Sequence, residues 1–491
     1  MPNAQPLVTS RWNLSSGKAI VLLSAFFVLV VQLILFQPIL RDYFPTFDEL
    51  ALLSSSTDIG GATEPAKWFT EGYRYYFFSD QEWPWMRQTT DFMRPGGNFI
   101  YWVCYNLFGE HWSAQLVLGY FAHALCVGLV GYIARTLFQL ERWWILLAMV
   151  LAAFNPAYWW GDDFSLALPW AVQFPAYQTE VMAGLLDLAA FIVFVRRRFI
   201  LFSVLVTLSL LIKETAITLP LSALLIAGCW RGDTAAATLR NATWLVLPLI
   251  LWGVLRFIVH EPGGGMYVLH SDRLWIIAPI RHLLMWPTAV DAPLRETVDL
   301  LHRHEWFTLS VRALAILMNL VWWAVLGFIA WRVVRTWGNR WLTAAPPPWV
   351  IGLVFALGNL GAAVMLQISE PRFGYLWFAL GPAAVLVAVS RWKAGPLAAG
   401  ALSLSLLIAP VSALIDTCSQ DMLVHQRTVR QSARQLVSLV RDLPPSVENR
   451  VHRRRRVHAA HGARVHSGSR RLQGKAHPRE QRAAHRVVRA E

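Results

Sequence analysis

Charged side chains that could take part in chemistry stand at the ends of long apolar runs in this chain. They are Asp48-Glu49, Arg94, Asp162-Asp163, Lys213-Glu214 and Glu370-Pro371-Arg372. A charge beside hydrocarbon is costly, so charges kept at such positions indicate a functional site. Counting the apolar runs places all of these positions on one side of a membrane, which predicts that they meet.

Two of these features are acidic pairs. Where two carboxyl groups adjoin near a low-dielectric boundary, one keeps its proton more readily, which suits Asp48-Glu49 to a general base or a metal ligand. The alternative is an ordinary helix start, where an acid interacts favourably with the helix dipole. Asp162-Asp163 could hold a divalent cation or orient a hydroxyl group, and the alternative there is a solvated loop.

The other features carry cations. Lys213-Glu214 interrupts a continuous apolar stretch, where such a pair costs several kcal/mol unless it lies at a membrane mouth or is paired. Arg372, beside Glu370, has the forked geometry that binds phosphate, and the alternative is a positioning salt bridge. Arg94 precedes two glycines that would permit close approach to an anionic group, and the alternative is a turn leading into a helix.

Two further acids stand inside or at the start of an apolar run. Glu180 begins the run that follows Asp162-Asp163, and Asp187 lies two helical turns deeper, so both can share one helix face. We expect Asp187 to pair with a polar group between helices.

The composition indicates the elements that position these residues. Of 491 residues, 56% are hydrophobic and only 15% are charged, against roughly 25% charged in a soluble domain. We therefore predict an all-α polytopic membrane protein with eleven spans, give or take two. The predicted runs are 19–40, 112–134, 143–160, 176–195, 199–212, 216–230, 241–259, 309–331, 349–367, 374–390 and 396–414.

Lys and Arg concentrate in alternate loops, which predicts their cytoplasmic side. Residues 1–18 then form a cytoplasmic N-terminus, and residues 19–415 form the transmembrane domain. The large outer loops are 41–98 and 260–308, and the first, rich in aromatic residues, is expected to carry an interfacial helix. The protein would be integral to a bacterial inner membrane, with its site on the periplasmic side.

The C-terminal part has a different composition. Residues 416–449 are expected to form a short amphipathic segment. Residues 450–491 hold 13 Lys and Arg against two acids, and they lack the apolar residues needed for a core, so we expect disorder. A polybasic lipid-binding tail is one interpretation, and translation in a shifted reading frame is the other. Most of the net charge of +14 belongs to this tail and therefore does not indicate nucleic-acid binding by the remainder.

Taken in order, these motifs resemble those of the GT-C membrane glycosyltransferases. The resemblance is to the group of protein O-mannosyltransferases and aminoarabinose transferases, and it covers roughly residues 19–390. It depends on four features in sequence: an acidic pair after the first helix, an Arg-Pro segment before the second, a Lys-Glu-Thr break and a late Glu-x-Arg break. The chain departs from the group at Gly96-Gly97, where bulkier residues usually follow the proline.

The resemblance implies a role for each residue. Asp48 would be the catalytic base, supported by Glu49. Arg94, Lys213 and Arg372 would bind the phosphate of a polyprenyl-phosphate sugar. Asp162, Asp163, Glu180, Glu214 and Glu370 would support them, and Asp48, Asp162 and Asp163 could hold Mg²⁺ or Mn²⁺, with no other cofactor.

The predicted reaction moves a sugar from that donor to a hydroxyl of a glycan, lipid or protein acceptor on the outer membrane face. A polysaccharide polymerase or ligase is one alternative, although outer-loop arginines would suit it better than acidic pairs. A lipid-linked sugar transporter or flippase is another, but it would be expected to show internal repeats and polar residues at mid-membrane. The partners implied are the donor, the acceptor and membrane lipids, and no nucleic acid.

Overall fold

The computed structural model describes thirteen ranges and single residues of the chain. These are residues 14–35, 37, 40, 94–109, 111–154, 178–228, 235–259, 306–337, 346–365, 374–391, 396–397 with 399–400, and 431. The chain divides into two units, 1–426 and 427–491, and only residue 431 of the second is described. Within these ranges the backbone forms helices and turns without a strand, which confirms the predicted all-α class.

Eleven α-helices make up the described part. They are α1 Leu14–Leu35, α2 Pro95–Phe108, α3 Trp112–Thr136, α4 Arg142–Ala153, α5 Gln178–Val195, α6 Phe199–Ile212, α7 Thr218–Gly228, α8 Ala235–Val259, α9 Trp306–Trp337, α10 Pro348–Met365 and α11 Tyr375–Val389. Each apolar run predicted between residues 112 and 390 coincides with one of them. Helix α2 was not among the predicted runs, because its sequence mixes Gly, Asn and aromatic residues.

Two of these helices, over Ser113–Thr136 and Gln178–Val195, are long and apolar enough to cross a membrane. Seven further apolar stretches in the described part are shorter, at 10–17 residues. By length and composition these two helices are compatible with membrane association, and the polytopic arrangement stays a prediction.

Tight turns join two pairs of helices into antiparallel hairpins. After α5, Arg197 adopts a left-handed conformation (φ 58°), and the amide of Arg198 donates to Val193 O at 2.9 Å in a Schellman-type ending. Gln139 has the same φ between α3 and α4. Both turns lie in segments predicted to be cytoplasmic because of their arginines. Near them, Phe194 packs against Phe355 of α10 with the rings tilted and their centroids 5.1 Å apart.

Helix α11 is the centre of the bundle. It packs against α3, α4, α5 and α10, and every residue except Ala388 is buried. A helix that is apolar all round must be enclosed by other apolar surface, as this one is. Its N-cap, Gly374, offers no side-chain acceptor, so Asn359 Oδ1 of α10 accepts from the amide of Trp377 at 3.2 Å instead.

Candidate functional site

The ends of several helices meet at the end of the bundle opposite the two tight turns. Ser113 Oγ, in the first turn of α3, donates to Leu40 O, just beyond α1, at 2.5 Å. Gln178 Nε2, at the start of α5, donates to Gln115 O of α3. The C-terminal side of α1 and the N-terminal ends of α3 and α5 are therefore neighbours, and α4, antiparallel to α3, ends on the same side.

Lys213 and Glu180 form a buried ion pair at this end. Lys213 follows the last residue of α6 in an extended conformation (φ −152°, ψ 131°), and Glu180 lies in the first turn of α5. Lys213 Nζ lies 2.6 Å from Glu180 Oε1, and the side chains are 4% and 2% exposed. A lysine so deeply buried needs such a partner, because an uncompensated charge there is far more costly.

Arg94 and Glu214 form a second ion pair beside the first. Arg94 precedes α2, and its Nε donates to Glu214 Oε2 at 2.8 Å, while Nη2 contacts Oε1. The contact is the bidentate fork typical of arginine and a carboxylate, and both side chains are partly exposed (12% and 15%). The four residues Arg94, Glu180, Lys213 and Glu214 are called the ion-pair cluster below.

Gly96 explains how α2 reaches this position. A Cβ added at Gly96 would lie 2.8 Å from Ile212 Cγ1 and 3.1 Å from Leu211 O, so the start of α2 rests directly on the end of α6. A bulkier residue would push α2 away and separate Arg94 from Glu214. The sequence interpretation placed an anionic group against these glycines, whereas the close approach of Gly96 is to the backbone of α6.

The cluster controls the ionisation of Glu214, which lies in the 3-10 turn Glu214–Ile217 between α6 and α7. Burial alone would raise the pKa of the Glu214 carboxyl. The guanidinium of Arg94 and the ammonium of Lys213 outweigh burial and lower this pKa from 4.5 to about 2. Glu214 is therefore ionised at any physiological pH.

This lowered pKa predicts a pH dependence of stability. Because the folded-state pKa lies below the unfolded value of 4.5, the stabilisation is complete above pH 4.5 and is lost as the pH falls toward 2. The thermal unfolding midpoint of the wild type in detergent should fall between pH 5 and pH 3, and that of Glu214→Gln should fall less. Parallel curves for the two proteins would contradict this interpretation of the pair.

Several polar residues around the cluster carry no charge, and one of them, Gln115, was not identified from the sequence. Cys104 Sγ of α2 donates to Gln178 Oε1 at 3.7 Å. In the described part, Gln115 Oε1 and both amide atoms of Asn98 are buried without a hydrogen-bond partner. An amide within a long apolar run is the signal that could have found Gln115. Buried amides without partners at a charged site suit a polar ligand.

Polar contacts continue deeper along α3, α5 and α6. Ser209 Oγ donates to Asp187 Oδ1 at 2.6 Å, so Asp187 has the polar partner on another helix that we expected. His123 Nε2 lies 3.2 Å from Ala153 O, and its Nδ1 lies 2.9 Å from the hydroxyl of Tyr375. Since a carbonyl only accepts, Nε2 of the neutral ring carries the proton, and Nδ1 accepts from Tyr375.

The other predicted site residues lie outside the described residues. They are Asp48, Glu49, Asp162, Asp163, Glu370 and Arg372. The interfacial helix of loop 41–98, most of loop 260–308 and the tail 450–491 lie outside as well, so all these stay predictions. Among the described residues, no group of three or more His, Cys, Asp or Glu side chains could hold a metal ion.

The arrangement that the structure does show is a set of two cations and two carboxylates held at one end of a helical bundle. No known family model, curated protein or solved structure matches this chain. What the site does is therefore argued from its chemistry.

Proposed function

We propose that this protein is a polytopic membrane glycosyltransferase. In this proposal it transfers a sugar from a polyprenyl-phosphate carrier to an acceptor hydroxyl on the outer face of a bacterial inner membrane, with the N-terminus in the cytoplasm. The observation that carries the proposal is the ion-pair cluster, in which α2, α5, α6 and the 3-10 turn bring together Arg94, Lys213 and two carboxylates. Cations fixed where a phosphate departs stabilise the charge that develops on it.

The charge of the cluster defines how a phosphate would bind. Two cations and two carboxylates sum to zero, so the paired carboxylates hold Arg94 and Lys213 in position while the site is empty. A phosphate would compete with Glu214 for the more exposed cation, Arg94. Further positive charge would come from Arg372 or from a divalent cation held by Asp48, Asp162 and Asp163, which would act as a Lewis acid.

In the proposed reaction, Asp48 accepts the proton of the acceptor hydroxyl. The hydroxyl oxygen then forms a bond to the anomeric carbon as the bond from that carbon to the phosphate oxygen breaks, and the phosphate leaves with the electron pair. Glu49 supports Asp48, and Arg94, Lys213 and Arg372 bind the leaving phosphate. Because one base acts and no protein nucleophile is involved, the configuration at the anomeric carbon should invert.

The test uses the full chain in lipid nanodiscs with a radiolabelled polyprenyl-phosphate sugar, assayed for sugar release. Asp48→Asn should lower the rate by about 10²–10⁴-fold, the usual contribution of a general base. The matched control is Asp58→Asn, which removes a single carboxylate from the same loop and should retain wild-type activity. Equal activity in Asp48→Asn and wild type would exclude Asp48 as the base.

A transporter of lipid-linked sugars is a second candidate, favoured by Asp187 and His123. Both are buried within helices, at 2% and 0% exposure, where ionisable residues often mark transport pathways. A transporter would move the intact donor across proteoliposome membranes without releasing sugar. Release of sugar that depends on Asp48 would favour the transferase, and movement of intact donor that depends on Asp187 would favour the transporter.

A further inference from the structure

A groove lies between α1 and α4, apart from the ion-pair cluster. Its volume is ≈ 240 Å³, and its walls are almost wholly apolar. The side chains that define it include Phe27, Val28 and Val31 of α1 and Leu146, Met149 and Val150 of α4. Phe27 and Leu146 are 67% and 52% exposed, so the groove opens onto an apolar outer surface. Such a surface is suited to hydrocarbon.

The direction of the groove follows from hydrogen bonds already described. Helix α1 leads to Leu40, which lies beside Ser113 at the start of α3, so α1 runs opposite to α3. Helix α4 also runs opposite to α3, because a tight turn joins them. Helices α1 and α4 are therefore parallel, and the groove between them ends on the same side of the bundle as the ion-pair cluster.

Both groove helices lead into the predicted acidic pairs. Asp48-Glu49 follow the end of α1, and Asp162-Asp163 follow the end of α4. A polar group also stands near this end of the groove. Gln32, in the last turn of α1, is 5% exposed, and its Oε1 has no hydrogen-bond partner in the described part. A chain lying along the groove would thus place its polar head beside an acceptor that lacks a donor.

We infer that this groove binds the polyprenyl tail of the donor lipid. The inference rests on the proposed function and deepens it, because it assigns the tail a place between two particular helices. The apolar walls accommodate the first isoprene units, the phosphate bonded to them leaves the groove at its Gln32 end, and Gln32 Oε1 accepts from a hydroxyl of the sugar that this phosphate carries. The phosphate then lies toward Arg94 and Lys213, on the same side of the bundle.

The test is photocrosslinking, which detects binding of the lipid whether or not catalysis occurs. The full chain in nanodiscs of phosphatidylethanolamine and phosphatidylglycerol is irradiated with polyprenyl phosphate that carries a diazirine in its second isoprene unit. Crosslinked peptides are mapped by mass spectrometry. We expect labelling of residues 23–32 and 146–154, at least fivefold reduced by a tenfold excess of unlabelled polyprenyl phosphate and unchanged by added phosphatidylglycerol.

Variants that fill the groove provide the second arm. Val150→Trp should lower labelling of the groove at least fivefold. If that variant fails to fold, Leu146→Trp should have the same effect, because this half-exposed position has room for the larger ring. Leu225→Trp, at a position of α7 that is 67% exposed and away from the groove, is the matched control and should label like the wild type.

The outcomes separate this inference from the proposed function. Labelling outside the groove that unlabelled polyprenyl phosphate reduces would contradict the assignment of the tail to this groove. It would still be consistent with an enzyme that uses a polyprenyl donor. Groove labelling that phosphatidylglycerol also removes would show a general lipid site and overturn the inference. An absence of competed labelling anywhere would count against both. Competed labelling of the groove without sugar release from any donor would support the groove and count against glycosyl transfer.

Discussion

Replacing Lys213 by methionine should lower the free energy of unfolding by about 3–5 kcal/mol, because it leaves the Glu180 carboxylate buried without a cation. Methionine fills a similar volume, so the loss reports charge and not a cavity. The measurement is denaturant unfolding of the purified protein in mixed micelles. Glu180→Gln alone should also destabilise, since it leaves the ammonium of Lys213 unpaired.

The double variant Lys213→Met with Glu180→Gln is the decisive control. When both charges are removed, no buried charge is left without a partner, so most of the stability lost in either single variant should return. If the cluster binds phosphate, this stable double variant should still lose sugar transfer, because Lys213 is missing. Full activity in the double variant would make the pair a structural element only. Additive losses of stability would mean that the two charges do not interact.

Replacing Gly184 by alanine should destabilise the protein by about 1–3 kcal/mol through overpacking. A Cβ at Gly184 of α5 would lie 2.6 Å from Tyr375 Cε1 and nearer still to Cδ1, so the ring of α11 must move. That movement would break the hydrogen bond from Tyr375 to His123 and add about 1 kcal/mol. The thermal unfolding midpoint checks the expected loss.

Two further variants identify the cause of that loss. Gly361→Ala in α10 adds the same methyl group with no atom within 4 Å, so it should be neutral or slightly stabilising. In a Tyr375→Leu background the ring is gone, and Gly184→Ala should then cost much less than in the wild type. An equal cost in both backgrounds would show that contact with Tyr375 is not the source.

The sequence was sufficient to predict most of the helices, because a long apolar run has few structures open to it other than a helix. The run 199–212 is α6, and the predicted break at Lys213-Glu214 is an extended residue followed by a 3-10 turn. Helix α2 was absent from the predicted spans because its buried face consists of Pro95, Gly97, Asn98, Tyr101 and Cys104, which is not an apolar run. The structure agrees with the alternative given for Arg94, a turn leading into a helix.

The partners of the charges could not be predicted from sequence, because they depend on how distant helices pack. Arg94 and Glu214 lie 120 residues apart, and nothing in the local pattern joins them. Lys213 could equally have paired with its neighbour Glu214, but its extended backbone directs the ammonium to Glu180 of α5. Gly96 permits the pairing of Arg94 with Glu214. From the sequence it was interpreted as a site where an anionic group could approach, since its contact with Leu211 is tertiary and cannot be predicted from the local sequence.

The burial of α11 has a consequence for how the protein is made. This helix is enclosed by α3, α4, α5 and α10, yet a ribosome synthesises it after all of them. The earlier helices must therefore assemble with the central place unfilled, and they can close around it only after Tyr375–Val389 has been made. Tyr375 can meet His123 only then, so the hydrogen bond between them forms after the contacts among the earlier helices. During translation, the half-built bundle is the form that a quality-control protease would meet.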